Sequence, residues 1–233
     1  DLLEDLNAPA YKIASFEAVD LPLIRYVAKT GKPIIISTGM ADAEEIDEAV
    51  EAAKEGGCKE IALLHCVSGY PAPVGDYNLR TLTDMREKYG LVTGLSDHTF
   101  GNLASLIATS IGASIIEKHF TLSRNDGGVD SSFSLEPAEM NSLVIETKKA
   151  FSALGSKDLK RSKYEESNRV FRRSVYFVKD VKKGEILNQN NIRRIRPGFG
   201  LEPKYYENII GQECLKSAKR GDKVTFEHFH FRK

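Results

Sequence analysis

The chain has 233 residues, a length that suits one large domain or one large and one small. Hydrophobic residues make up 41% and charged residues 28%, as in ordinary globular proteins, and Lys+Arg balances Asp+Glu at 33 each, so nothing in the overall charge suggests a bulk electrostatic pull toward nucleic acid or membrane and any anion site is local. No apolar run approaches the roughly 20 residues that span a bilayer and no signal peptide is visible; the three scattered cysteines, Cys58, Cys66 and Cys214, fit reduced cytosolic thiols better than a disulfide framework.

The opening stretch, DLLEDLNAPAYKI, has no Met and passes from a helix end into a strand. It reads as a native terminus or as a piece that begins in mid-domain. Five apolar runs then recur: YKIAS (11–15), PIIIST (33–38), IALLHC (61–66), LVTGLSD (91–97) and SIIEKHF (114–120). Near-continuous apolar runs are the signature of parallel strands buried on both faces. Helical patterns separate them. Ile46, Ala49, Val50 and Ala53 lie at i, i+3, i+4 and i+7, with Asp42 and Glu45 spaced as a capping box and Gly56 as a stop. Leu79, Leu82 and Met85 mark the next helix, closed by Gly90, and Leu103, Leu106, Ile107 and Ile111 mark another. Pro137 opens a long helix through Met140, Val144, Phe151 and Leu154, closed by Gly155.

Strand–helix alternation at this spacing predicts βαβ units, hence a doubly wound sheet or part of a (β/α) barrel. Polar residues at the C-terminal strand ends and the absence of GxGxxG after the first strand favour the barrel. Five strands cannot close an eight-stranded barrel, which supports reading the chain as a fragment. Residues 1–155 are assigned to this α/β unit. Residues 156–172, SKDLKRSKYEESNRVFR, read as a charged linker or solvated helix. Residues 173–233 change texture: RSVYFVKDVKKGEIL shows strand alternation and a KKG turn, and CLKSAKRGDKVT repeats the pattern. They predict a small β-rich domain near the lower size limit for folding alone.

Side chains alternate along a strand, so His119 shares a face with Glu117 and Ile115, and His98 with Ser96 and Gly94. Matching ends on adjacent strands would aim both imidazoles at one point, where two nitrogens plus water hold a divalent metal. Two unrelated polar strand ends are the plainer alternative. Ser15, Ser37 and Ser96 end three strands, and Lys12 is close to the first. Hydroxyls, a lysine and loop N–H groups suit a phosphate monoester, although serine also simply terminates strands. Glu17, after the first strand, and Asp130, in the Gly-rich NDGGVDSS, are placed to bind sugar hydroxyls; turn chemistry is the alternative for Asp130. Asp97 is placed to orient a neighbouring imidazole. His65 and Tyr70, in HCVSGYPAP, read as site residues or as packing. His228 and His230, in EHFHF, read as an exposed terminal strand, and IRRIRPGFG as a solvated edge or as a loop presenting Arg196 to an anion or amide.

In order, YKIAS-x-E, GKPIIISTGM, LLHC-xxx-YP-x-P, GLSDHT, IEKHFT and GG-x-DSSFS-x-(E)P resemble the sialic acid synthase family. VKKGEIL, IRPGFGLEP, GQ and KRGD resemble the antifreeze-like (SAF) domain that follows the barrel in that family. The resemblance covers essentially the whole chain. It implies a partial TIM (β/α)8 barrel of about strands four to eight, followed by a SAF domain. The three earlier strands, including an EIG-x-NH-x-G segment that contributes a glutamate, are absent, so activity of this stretch by itself is not implied. Family members condense phosphoenolpyruvate with an N-acetylated sugar to make nonulosonic acids. KIASFE, GGVDSSFS and RPGFGLEPKYY resemble the pseudaminic acid synthase branch, which takes 2,4-diacetamido-2,4,6-trideoxy-L-altropyranose as its open-chain aldehyde. Ser68 stands where N-acetylneuraminate synthases usually carry Asn; that branch and the legionaminate synthases are the alternatives.

The resemblance further implies a divalent metal on His98 and His119, Mn2+ first, with Mg2+ or Co2+ as alternatives. It places Lys12, Ser15, Ser37 and Ser96 on phosphoenolpyruvate, and Glu17, Tyr70, Asp130 and Arg196 on the amino sugar. Glu17, His98, His119 and Asp130 are the catalytic candidates. It implies a cytoplasmic homodimer in which each SAF domain caps the neighbour's barrel, with no nucleic-acid or membrane partner. An aldolase-type metal-dependent lyase and a non-catalytic carbohydrate-binding or SAF-mediated interaction protein are the competing functions.

Overall fold

The structure, a computed structural model, describes residues 1–230. The chain divides into two compact units, one spanning residues 1–156 and the other beginning at Lys157. In the first, a short helix α1 (Leu2–Asp5) precedes β1 (Tyr11–Ile13), α2 (Leu21–Ala28), β2 (Ile34–Ser37), α3 (Ala43–Glu55), β3 (Ile61–Cys66), α4 (Thr81–Tyr89), β4 (Val92–Asp97), α5 (Leu103–Ser110), β5 (Ile115–Lys118) and α6 (Pro137–Leu154). The strands pair in parallel in sequence order, with Ile13 opposite Ile36, Ser37 opposite Leu64, Cys66 opposite Ser96, and Ser96 opposite Glu117. The result is a curled, five-stranded half of a (β/α) barrel.

Local chemistry sets the helix ends. The Asp42 carboxylate accepts from the Glu44 and Glu45 N–H groups while the Glu45 carboxylate accepts from the Asp42 N–H, the reciprocal box that opens α3. Gly90 stops α4 in the left-handed conformation, at φ 63°. Alternation then divides the sheet. One face buries Tyr11, Ile13, Ile34, Ile36, Ile61 and Leu63 against Ile24, Val27, Ala49, Val50 and Ala53 of α2 and α3. A second cluster joins Leu95, Tyr77, Leu82, Ala104 and Ala108, with Ile116 packed on it. Each fully buried Leu or Ile contributes about 1.5–3 kcal/mol, enough to hold the register that positions the opposite face. Gly94 is required for that register, because a Cβ there would fall 2.3 Å from the Ile115 carbonyl oxygen of β5.

Two strand expectations change. The first strand ends at Ile13, since Ser15–Glu17 turn into a 3₁₀ helix. The last, β5, is only half-buried along its length, as befits the edge of the sheet.

The second unit contains α7 (Lys163–Glu166), a 3₁₀ turn at Ser167–Phe171, the antiparallel pair β6 (Ser174–Phe177) and β7 (Ile192–Ile195), and α8 (Tyr206–Ile209). Its core is Val175, Phe177, Val181, Leu187, Ile192, Tyr206, Ile209, Cys214, Val224 and Phe229. The KKG and KRG segments are equivalent turns. The Glu185 N–H donates to the Lys182 carbonyl and the Asp222 N–H to the Lys219 carbonyl, with Gly184 at φ 93° and Gly221 at φ 95°. β6 is buried at all four residues instead of alternating. The loop after β7 covers its second face: the Ser174 hydroxyl donates to the Pro197 carbonyl and accepts from the Gly200 N–H. His228 is also not in an exposed strand. It is buried in a 3₁₀ turn, its ring 5.1 Å from that of Phe177, with Nδ1 accepting the Thr225 N–H; His230 is exposed outside any regular element.

Candidate functional site

The sheet face opposite the α2–α3 core carries the polar side chains. Lys12 of β1, Ser37 of β2, Cys66 of β3, Ser96 of β4 and Glu117 of β5 share it by alternation, and His98 and His119 follow the last two. Glu117 is the hub. Its Oε1 accepts the Ser96 hydroxyl at 2.8 Å and lies 3.5 Å from the Lys12 ammonium. Sequence reasoning noted that Glu117 faces with His119 and assigned it no role; the alternation was the signal that could have done so.

Beside this hub lies a group of hydroxyls around Gly39. Ser15 Oγ accepts the Gly39 N–H at 3.2 Å. Among the described residues the hydroxyl oxygen of Ser37, 1% exposed, is buried without a hydrogen-bond partner; the Ser68 hydroxyl is also buried and its interaction with Tyr70 favours the phenolate. A Cβ on Gly39 would sit 2.4 Å from Ser68 Oγ and 2.8 Å from Ser15 Oγ. A buried polar group left unpaired costs about 1–3 kcal/mol, a cost expected where a ligand completes the bonding.

His98 is 4% exposed and held from two sides. Its backbone N–H donates to Tyr77 Oη at 2.7 Å, and Nδ1 lies 2.9 Å from the Val67 carbonyl. A carbonyl only accepts, so Nδ1 is a donor and Nε2 is the ring nitrogen left for a ligand. The His119 ring lies 5.2 Å from that of His98, centroid to centroid, and its Nδ1 is 3.5 Å from Asp130 Oδ2. Burial, then the neighbouring His98, pulls the His119 imidazole below its ordinary range, against the pull of Asp130 and Glu117. Tyr70 spans the pair, 4.3 Å from the His98 ring and 5.8 Å from the His119 ring. Burial raises its phenol, helped by Cys66, Asp130 and Glu117.

Residues 1–159 match the NeuB family and residues 172–230 match the SAF domain. The chain belongs to the NeuB family. A pseudaminic acid synthase of Helicobacter pylori is 44% identical to it over 220 residues, which cover 94% of this chain and 65% of that protein. An N,N'-diacetyllegionaminic acid synthase of Campylobacter jejuni is 40% identical over 96% of this chain and 68% of its own length. The crystal structure of the spore coat polysaccharide biosynthesis protein SpsE of Bacillus subtilis matches all of this chain and 71% of that one, with TM-score 0.63 and 31% identity. This NeuB-family chain therefore spans about two thirds of the length of the relatives it matches.

Among the described residues no three His, Cys, Asp or Glu side chains gather as a metal site. Two imidazole nitrogens are what this NeuB-family chain offers, and they suit an open site whose other positions belong to water or substrate. The Asp97 carboxylate bonds neither imidazole directly. It lies on the opposite face of β4, where it meets Lys118, Thr99 and Ser105. His65 is a packing residue: its Nε2 bonds the Tyr77 carbonyl and burial lowers its pKa. Glu17 is exposed on its 3₁₀ turn and makes no side-chain hydrogen bond or ion pair among the described residues. Arg196 is exposed just beyond β7, in the second unit. No helix of the described residues is long and apolar enough to cross a membrane.

Proposed function

We propose that this chain carries most of the active site of a nonulosonic acid synthase of the pseudaminate type. Phosphoenolpyruvate, the open-chain form of 2,4-diacetamido-2,4,6-trideoxy-L-altrose and water go to pseudaminic acid and phosphate. The observation that carries the reading is the convergence, on one sheet face, of the His98–His119–Tyr70 group with the Lys12–Glu117–Ser96 group and the buried hydroxyls of Ser37 and Ser68. The 44% identity to a protein named pseudaminic acid synthase supports the sugar assignment. The 40% identity to a legionaminate synthase supports the second reading, an isomeric sugar in the same pocket.

Lys12, Ser15, Ser37 and Ser96 hold the phosphoenolpyruvate anion, the ammonium offsetting its charge and the hydroxyls donating to its oxygens. Tyr70, Asp130 and Glu17 receive the sugar beside the histidines. His98 and His119 hold a divalent metal ion, Mn2+ with Mg2+ or Co2+ as alternatives, which when bound supplies Lewis-acid polarisation of the aldehyde oxygen. The methylene carbon of phosphoenolpyruvate bonds to the aldehyde carbon, water adds at the phosphate-bearing carbon, and phosphate leaves with its bridging oxygen. Positioning of the two substrates supplies much of the rate. The second unit presents Arg196 to the N-acetyl group of sugar bound in a partner copy, in a cytoplasmic homodimer.

An assay of the full-length protein decides the matter. It follows phosphate release with phosphoenolpyruvate, Mn2+ and a panel of N-acetylated sugars. Release that requires phosphoenolpyruvate and is fastest with the L-altro sugar is expected. Turnover of sugar without phosphoenolpyruvate would overturn the reading in favour of a lyase, and preference for another isomer would move the chain to the legionaminate or N-acetylneuraminate branch.

A further inference from the structure

Behind the histidines, on the helix side of the sheet, lies a buried ion pair that the proposed chemistry does not use. Asp97 and Lys118 are register partners at the ends of β4 and β5, each one residue before a histidine. The Lys118 ammonium is 3.0 Å from Asp97 Oδ2, and the two side chains are 2% and 0% exposed. Asp97 Oδ1 accepts the N–H and the hydroxyl of Thr99, both at 2.8 Å, and Oδ2 accepts the Ser105 hydroxyl of α5 at 2.6 Å. Lys118 also donates to the Thr99 carbonyl, at 2.5 Å. The residues on both sides of His98 are thereby fixed, and so is the residue before His119.

Stability alone does not account for this arrangement. Burying two charges carries a desolvation cost that their attraction often fails to exceed, and well-packed apolar residues of similar volume frequently do as well or better. Apolar packing lacks direction. The carboxylate and ammonium bind three separate groups of Thr99, so they set the peptide planes around His98 as well as the spacing of the two strands.

We propose that the Asp97–Lys118 pair, with Thr99, is a positioning device that holds the His98 and His119 imidazoles at the separation and tilt needed to share one ligand. The inference deepens the metal reading above and rests on it. Neither residue touches substrate; both act through the backbone of the histidines they precede.

The test titrates full-length wild-type protein and the Asp97→Leu/Lys118→Met double variant with MnCl2 by calorimetry, with thermal melts alongside. Positioning predicts Mn2+ binding at least tenfold weaker in a variant that the melt shows to be folded at the temperature of the titration. Equal affinity in the folded double variant overturns the proposal. Should the double variant not fold, Thr99→Val and Thr109→Val decide instead. Each removes one buried hydroxyl bond, but the Thr109 hydroxyl donates to the Ser105 carbonyl and touches neither member of the pair. Weaker Mn2+ binding in Thr99→Val alone supports positioning, and equal binding in both overturns it. A wild-type protein that binds no Mn2+ defeats the metal reading. The side-chain 15N resonances of His98 and His119 then carry the test: displacement of both in the variant supports positioning, and unchanged resonances overturn it.

Discussion

The two units of this chain carry opposite charge. Residues 1–156 hold 23 Asp+Glu against 13 Lys+Arg, while residues 157–233 hold 10 against 20. The overall balance conceals an acidic barrel unit and a basic C-terminal unit of equal and opposite net charge. Screening limits charges to about 8 Å at physiological salt, so a partner senses each unit and not the total. The units also differ in how they treat polar groups. Among the described residues the barrel face leaves the Ser37 hydroxyl unpaired and lines up Lys12, Glu117 and two imidazoles. The small unit spends its polar groups on its own turns, as at Ser174, Thr225 and the two KxG corners. One unit keeps polar side chains together on an open face, and the other uses them within its own turns.

The largest expected effect separates the units by chemistry. In full-length protein, His98→Ala should lower phosphate release on the order of 10³-fold. Lys216→Ala, which removes an exposed pair with Glu227 of the basic unit, should leave it unchanged. Similar rates for the two variants would erase the distinction.

A second comparison uses charge. If the basic unit of one copy caps the acidic barrel of another, raising NaCl from about 0.05 to 0.5 M should weaken the dimer about tenfold by sedimentation equilibrium. A monomer at every salt concentration, with full turnover, would contradict the capped dimer.

Smaller effects probe the supports of the site. Tyr77→Phe leaves the buried His98 N–H without its acceptor, and denaturant unfolding should show a loss of about 2 kcal/mol. Ser174→Ala removes both hydrogen bonds between the Ser174 side chain and the loop after β7 and should cost about 1–2 kcal/mol.

The least effect concerns pH. Burial holds His65 below its ordinary range of 6.5, so the unfolded chain binds the proton more readily than the folded one. Its contribution to stability is complete above pH 6.5 and is lost as pH falls from there through the folded pKa. The slope from this one group is at most about 1.4 kcal/mol per pH unit. His65→Gln should flatten the pH dependence of unfolding below pH 6.5. An unchanged slope would show that His65 is not the group responsible.

Much of the barrel unit was legible because its signals are local. The apolar runs, the Asp42–Glu45 box, the Gly90 stop and Pro137 each depend on residues within one element, and each falls where the structure has it save the end of the first run, which turns into a 3₁₀ helix after Ile13. Alternation also placed His98 with Ser96, and His119 with Glu117. It equally implies that Asp97 lies on the other face from His98, so its carboxylate cannot bond that imidazole directly. The small unit was less legible. Its elements are short, and the burial of Ser174 and His228 comes from loops that fold back over them.

What the sequence by itself determined is the succession of strands and helices, the face on which each strand-end side chain emerges, and the kinship of the whole. These follow from periods of 2 and 3.6 residues and from motifs read along the chain. Tertiary structure alone decided which groups meet: Glu117 with Lys12 and Ser96, Asp97 with Lys118, Gly39 among three side chains from other segments, and Tyr70 over two imidazoles. Those meetings depend on the register between parallel strands far apart in sequence, and register is fixed by the packing of the whole sheet on its helices.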